Sequence, residues 1–258
     1  MKNIIVCIKQ VPDTTEVRID SNTNTLIREG IPCIINPFDL YAIEEGLRIK
    51  EKYGGKVIVI SMGPPQVVES LKEAISLGVD EAILLSDRKF AGSDTLATSY
   101  TLSRGILKIG DYDIIICGKQ AIDGDTAQVG PGIAEFLNIP QITYVRKIRE
   151  ITDNSIVAER LTETGIDVIK SKLPVLLTVV KEINEPRLPS LKNKMKAKKY
   201  QPIIWGFNDL DIKEPYIGLD GSPTRVIKIF SPQISVQSEM INGEPDEVAK
   251  ILLDKLKI

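Results

Sequence analysis

From Ile4 to Leu137 the chain alternates between two hydrophobic patterns. Short, nearly unbroken apolar runs at Ile4–Ile8, Val57–Ser61, Ala82–Leu85 and Asp113–Cys117 have the length and continuity of strands covered on both faces. Between them apolar residues recur at three- and four-residue steps, which puts them on one face of a helix. Leu40, Ile43 and Leu47 form the first such stripe, Val67, Val68, Leu71, Ala74 and Ile75 the second, and Leu96, Tyr100 and Leu107 the third. Punctuation agrees with the periodicity. Asn36-Pro37 offers a cap and a first-turn proline, Gly54-Gly55 and Gly78 supply stops, and Ser93-Asp94-Thr95 supplies capping side chains. A polar excursion at Val17–Ile27 reads as a hairpin. Repeated strand–helix units of this kind predict an α/β fold, a doubly wound and mostly parallel sheet with right-handed crossovers.

After Ile139-Pro140 the period shortens. Ile142–Ile151, Ser155–Leu161, Ile166–Ile169 and Val175–Val180, with turn signals at Asp153-Asn154 and Gly165, predict antiparallel strands added to that sheet or lying beside it. Beyond Glu185-Pro186 the core-forming pattern is lost. Leu188–Ser238 is rich in proline, carries the lone Trp205 and a lysine cluster, and predicts an extended arm that needs another surface to cover its apolar side chains. Val248, Ile251, Leu252 and Leu256 then mark a closing amphipathic helix at Pro245–Leu256. The expected division is an α/β nucleotide-binding domain over 1–185 and a partner-binding arm with C-terminal helix over 186–258.

Composition narrows the function. The chain has 258 residues and a formal net charge of -2, which argues against a nucleic-acid partner, and Lys192, Lys194, Lys196, Lys198 and Lys199 read as a solvated face or a partner-docking arm. Cys7, Cys33 and Cys117 lack paired spacing, so neither disulfides nor a zinc site is expected and a reducing cytoplasm is. The apolar run before Lys9 is too short for a signal peptide, and no stretch has the length of a membrane span. Histidine is absent, which removes imidazole triads, imidazole acid–base chemistry and His-ligated metals together. No catalytic side chain and no metal are expected; any redox chemistry would be a cofactor's.

The predicted topology sends every strand-to-helix loop to one edge of the sheet, so Asn36–Asp39, Met62–Pro65, Ser93–Thr95 and Gly118–Thr126 should surround one crevice. The strongest of these is GKQAIDGDTAQVGPG, Gly118–Gly132, a glycine- and aspartate-rich loop between a buried strand and a helix, where backbone N–H groups meet phosphate. Gly124 would let backbone approach the anion, and Asp125 or Thr126 would start the helix. Asp123 and Asp125 are poor phosphate neighbours and read as caps or as acceptors for ribose hydroxyls or an adenine amine. Neither GxGxxG after the first strand nor GxxxxGK[ST] occurs, nor the SGGxDS loop of adenylating enzymes. A stand-alone ATP- or AMP-binding stress-type module remains an alternative, although it would have no use for the segment 186–199.

Five motifs in order, NPFDLYAIEEGLRIKE (36–51), VISMGPPQ (59–66), GKQAIDGDTAQVGPGIAEFL (118–137), KLPVLLTV (172–179) and NEPRLPSLKNKMKAKK (184–199), resemble the small, or β, subunit of electron-transfer flavoproteins. Thr164 and Asp167 depart from the family's usual glycine and glutamate. The resemblance implies a heterodimer with a larger α subunit that carries an electron-transferring FAD, while the β subunit holds a nucleotide of its own. It places nucleotide contacts at Cys7, Asn36, Pro37, Phe38, Asp39 and Met62. It continues them along Gly118, Lys119, Gln120, Ala121, Ile122, Asp123, Gly124, Asp125, Thr126, Ala127, Gln128 and Val129. Ordinary members hold AMP there. AGSDTLATSY (91–100) and DTAQVGP (125–131) resemble instead the electron-bifurcating branch, in which the site holds FAD and NADH is the electron donor. That branch adds Ser93, Asp94, Thr95 and Thr98 as expected contacts. It implies an acyl-CoA or similar flavin dehydrogenase as one electron partner and ferredoxin or flavodoxin as the other. Leu191 matches the family's dehydrogenase-docking leucine.

Overall fold

The computed structural model describes residues 1–13, 32–227 and 239–256. The hairpin expected at Val17–Ile27 lies outside the described residues. Two compact units are present, one containing 1–13 and 32–227 and the other 239–256.

In the larger unit the strand–helix alternation is as the periodicity predicts. β1 (Ile4–Cys7) is followed by a short antiparallel pair, β2 (Gln10–Pro12) and β3 (Cys33–Ile35), then α1 (Pro37–Tyr53) and β4 (Val57–Met62). α2 (Val68–Leu77), β5 (Glu81–Leu85), α3 (Thr95–Ile109), β6 (Ile114–Gly118) and α4 (Val129–Leu137) complete the alternating part. Pro37 occupies the first turn of α1, Gly54 caps its end at φ 74°, and Gly78 ends α2 at φ 121°. These are conformations that glycine reaches without a Cβ penalty.

The remaining strands are β7 (Gln141–Ile151), β8 (Ser155–Leu161), β9 (Ile166–Lys172) and β10 (Val175–Val179), followed by α5 (Leu191–Lys199) and β11 (Ile203–Trp205). The nine-stranded sheet has the order β11-β5-β4-β1-β6-β10-β7-β8-β9. Two expectations are corrected here. β10, expected as an antiparallel addition, is parallel to both neighbours and lies between β6 and β7. β7 likewise runs parallel to β10, so antiparallel pairing is confined to β7–β8 and β8–β9 in this sheet. The physical reason is burial on both faces: Val175, Leu176, Leu177 and Val179 are all fully buried, the mark of a central parallel strand.

Successive strand residues feed two cores on opposite faces. Ile4, Val6, Val57, Val59, Ile114 and Ile116 pack with Ile43 and Leu47 of α1 and with Leu71 and Ile75 of α2. Ile5, Cys7, Ile58, Ile60, Ile115 and Cys117 pack with Leu102 and Ile106 of α3 and with Ile133 and Ala134 of α4.

Residues 186–227 lie along this unit. The Arg187 guanidinium donates to Glu44 at 2.7 Å and to Glu51 at 2.5 Å on α1, the Tyr200 hydroxyl accepts from Ala82 N at 2.9 Å, and β11 extends the sheet beside β5. The extended segment thus finds part of its covering surface on its own sheet. In the smaller unit, α6 (Pro245–Leu256) is the amphipathic helix that the sequence predicts.

Candidate functional site

The chain builds outward from β1 through β4 to β5, and α3 then carries it back to β6 on the other side of β1. That reversal parts the loops at the carboxyl ends of β1 and β6, the place where open α/β sheets take ligands. A crevice of ≈ 380 Å³ lies there. Cys7 closes one wall at the end of β1, Met62 lines it from the end of β4, and Asn36 and Asp39 line it from the start of α1. The loop following β6 and the start of α3 complete it.

Asp39 is 5% exposed, yet its carboxylate accepts hydrogen bonds from Lys9 N at 2.7 Å and Gly118 N at 3.2 Å. Burial pushes its carboxyl up to about 7, against the bonds from Lys9, Asn36 and Gly118 that pull it down. Asn36, expected to cap α1, ties the long loop instead. Its amide donates to Gln120 O at 2.9 Å and accepts from Ile122 N at 3.2 Å.

The loop is pinned on its outer side as well. Lys9 Nζ pairs with Asp123 at 2.6 Å, and Gln120 donates to Asp125. Asp125 (φ 53°) and Ala127 (φ 55°) hold left-handed backbone, a conformation that costs energy for residues with a Cβ and that clusters at binding sites. α4 starts at Val129, so the expectation that Asp125 or Thr126 would start it is corrected. Gln128 precedes the helix without capping it, because its side-chain oxygen accepts from Thr95 Oγ1 at 2.9 Å. Val129 and Gly130 lie in the first turn of α4, where no carbonyl four residues back belongs to the helix, and their N–H groups have no protein acceptor among the described residues, at the crevice wall.

The start of α3 differs. Asp94 caps it, accepting from Leu96 N at 2.9 Å and Ala97 N at 3.1 Å while its other oxygen accepts from the Thr224 hydroxyl at 2.8 Å. Burial raises the Asp94 carboxyl, but these bonds outweigh it and hold it below the usual range. Ser93 Oγ donates to Phe90 O at 2.8 Å and accepts from Gly218 N at 3.1 Å. Both side chains line the crevice but are engaged by the protein, so α3 offers a ligand the Thr98 hydroxyl and the acceptor side of Thr95 Oγ1, whose proton goes to Gln128, rather than an open helix start.

Cys7 and Cys117 are register partners on β1 and β6, both buried. The hydrogen bond from Cys7, and then burial, push the Cys117 thiol well up, so Cys117 gives the crevice a neutral, weakly polar wall. Two glycines are fixed by packing. A Cβ on Gly118 would meet Asp39 Oδ1 at 2.3 Å, and one on Gly130 would meet Thr178 Cγ2 at 2.7 Å. A Cβ on Gly124 would meet nothing.

Of the residues the sequence singles out, Cys7, Asn36, Asp39, Met62, Ser93, Asp94, Thr95 and Thr98 line the crevice, with Gly118, Lys119, Gln120, Ala121, Gly124, Thr126, Ala127, Gln128 and Val129. Pro37, Phe38, Ile122, Asp123 and Asp125 are not on its wall. Ile8, Lys9, Leu102, Cys117 and Gly130 are, and sequence reasoning missed them. The signal for Cys117 was available, since it closes the apolar run Asp113–Cys117 immediately before the glycine-rich loop. No metal-holding cluster occurs among the described residues, and no described helix is long and apolar enough to cross a membrane.

A crevice at the switch point of a mostly parallel sheet, with free backbone donors on one wall and apolar side chains on the other, places the chain among the open α/β proteins that carry a ligand crevice at the carboxyl ends of their strands. Residues 23–207 match the electron transfer flavoprotein domain. The electron transfer flavoprotein subunit beta of Thermoanaerobacterium thermosaccharolyticum is 53% identical over 255 residues, covering 98% of this chain and 97% of that one. A subunit of Acetobacterium woodii named for a caffeyl-CoA reductase-Etf complex, CarD, is 50% identical over 256 residues, covering 98% and 97%. Protein FixA of Sinorhizobium fredii is 45% identical over 265 residues, covering 98% and 93%. The chain belongs to the electron transfer flavoprotein family, as a subunit of the β type.

Proposed function

We propose that the crevice binds FAD, and that this chain pairs with a larger FAD-carrying subunit to divide electrons from NADH between two acceptors. One observation carries the choice of FAD over AMP: the Thr95 and Thr98 hydroxyls line the same crevice as the loop following β6. They supply polar contacts beyond those a mononucleotide requires.

The residues present fit such a group. Val129 and Gly130 N–H can take phosphate, Thr95 and Thr98 suit a polyol chain, and Cys7, Met62 and Leu102 suit a flat apolar ring. At ≈ 380 Å³ the crevice is near the lower end of small-molecule sites, about 300–1,000 Å³, so this chain alone would not enclose a dinucleotide and a partner surface is expected at its mouth. When bound, the flavin supplies the redox chemistry, accepting hydride and releasing single electrons. The protein's own residues hold and orient it. The two buried cysteine side chains and Met62 keep water from that wall, while Asp39, Asn36 and Lys9 fix the loop that would cover it.

The name of the Acetobacterium relative, a subunit of a complex with an acyl-CoA-type reductase, supports a flavin dehydrogenase of that kind as one electron partner. Ferredoxin or flavodoxin is the expected low-potential acceptor.

The test is a cofactor count on the purified heterodimer. Two FAD per heterodimer, both bleached by NADH, is the expected result. One FAD and one AMP, with no reduction by NADH, would place the chain among the AMP-holding members and overturn the reading.

A further inference from the structure

Past β11 the chain returns to the crevice. Leu210 and Ile217 are buried in the core that Leu102 and Ile106 of α3 share, and the segment 218–224 then closes over the start of that helix. Its path is held by glycines. Gly218 holds φ 61°, a Cβ there would meet Lys89 O at 2.2 Å, and one on Gly221 would meet Ile217 N at 2.3 Å. Gly218 N donates to Ser93 Oγ at 3.1 Å. Ser222 is buried; its hydroxyl donates to Gly218 O at 2.6 Å and accepts from Asp94 N at 2.8 Å. Thr224 then donates to Asp94 Oδ2 twice, from its N–H at 3.1 Å and from its hydroxyl at 2.8 Å. Two residues that line the crevice are thus tied by a buckle that lies outside the matched domain, 23–207.

The charge at this point calls for such a tie. Asp94 lines a crevice whose other wall presents the Val129 and Gly130 N–H groups, which suit an anion. Burial raises its carboxyl, but the bonds from Ala97, Thr224 and Leu96 more than reverse this, so the group is charged. A carboxylate beside a bound anion is unfavourable unless its oxygens are held elsewhere. Oδ1 serves the first N–H groups of α3, where the helix dipole favours negative charge. Among the described residues Oδ2 has only Thr224.

We infer that Thr224, carried to the crevice by the Ser222 buckle, is a positioning residue for the nucleotide: it holds the Asp94 carboxylate on the helix start, so that an acidic side chain can line an anion-binding wall. The inference rests on the reading of the crevice as a nucleotide site and applies to FAD and AMP alike.

The experiment uses the intact heterodimer with its crevice emptied by dialysis, and FAD and AMP titrated separately by calorimetry. Thr224→Val should weaken binding about ten-fold, the scale of a hydrogen bond to a charged group, whereas Thr224→Ser should keep the wild-type affinity. Adding Asp94→Asn to Thr224→Val should regain most of the loss, because an amide still caps the helix but does not repel phosphate. A purely structural role for Thr224 predicts no such rescue. Unaltered affinity in Thr224→Val, a loss that Asp94→Asn leaves in place, or no nucleotide bound by the wild type would overturn the inference. Thr224-dependent binding of AMP with no binding of FAD would leave it standing and remove the flavin reading, whereas Thr224-independent binding of FAD would do the reverse.

Discussion

Asp39 joins three elements through one carboxyl, because Lys9, Gly118 and its own helix α1 all meet there. The folded protein holds that proton up to about pH 7, whereas the unfolded chain releases it near 3.8. Between those values the native state binds more protons than the unfolded one, so this group's contribution favours folding below pH 4 and is lost as the pH climbs to 7. The shift corresponds to roughly 4 kcal/mol at most. Asp39→Asn should therefore flatten the fall in stability between pH 5 and pH 7 seen in urea melts, leaving the weaker slope of Glu45 and Glu73, which burial also raises. The glycines of the loop make a second test at this scale. Gly124→Val adds a side chain to open space and should change stability by less than about 0.5 kcal/mol while abolishing nucleotide retention. Gly118→Ala should cost about 1–3 kcal/mol, because its methyl would collide with Asp39 and the Phe38 backbone. Chemical denaturation and a nucleotide assay on each variant separate the two outcomes.

At the scale of elements, α5 is a short helix whose residues serve two surfaces. Ser190 caps it by accepting from Asn193 N at 3.2 Å, and Ala197 is buried, but Leu188, Leu191 and Met195 are 90%, 77% and 61% exposed. Leu191→Ala should therefore leave the melting temperature and cofactor content unchanged. Stopped-flow measurement of electron delivery to the cognate dehydrogenase should show a slower rate, with the surrounding lysines making it salt-dependent. Element types and most boundaries were legible in the sequence because periods of 3.6 and of unbroken runs are imposed by which faces are buried. Strand direction was less so. Val175–Val180 follows segments separated by turn signals and so predicts one more antiparallel strand, although its lack of polar alternation already marks a strand covered on both faces. The crevice was legible through its loops, since topology alone brings them together. Contacts set by side-chain direction were not. Nothing in Asn36-Pro37 distinguishes a cap from a tether to Gln120 and Ile122, and nothing in the run Ile4–Lys9 announces that Lys9 pairs with Asp123.

Across the molecule, one guanidinium fastens the segment following β10 to the first helix. Glu44 is buried and accepts from both Arg187 and Arg48; burial raises its carboxyl, and the two arginines more than reverse this. Removing Arg187 leaves that buried carboxylate with Arg48 alone. Arg187→Ala should lower stability by about 1–3 kcal/mol in denaturant, a range below that of fully buried pairs because the arginine remains partly solvated. The Glu44 carboxyl, held low when paired, makes its stabilising contribution above its unfolded value of 4.5, and that contribution is lost as the pH falls below it. The loss caused by Arg187→Ala should therefore shrink in acid.

The position of β10 has a consequence for how the protein is made. Residues 141–172 emerge from the ribosome before 175–179 do, yet the later strand must lie between β6 and β7 and hydrogen-bond to both. Until it arrives, the β6 edge has no partner on that side, β7 with its hairpin has nothing to join, and the apolar row Ile114, Ile115 and Ile116 faces an open seam. A nascent chain halted near residue 172 should thus be protease-sensitive, and one extended beyond 180 with its tether resistant, the change coming within a few codons rather than gradually.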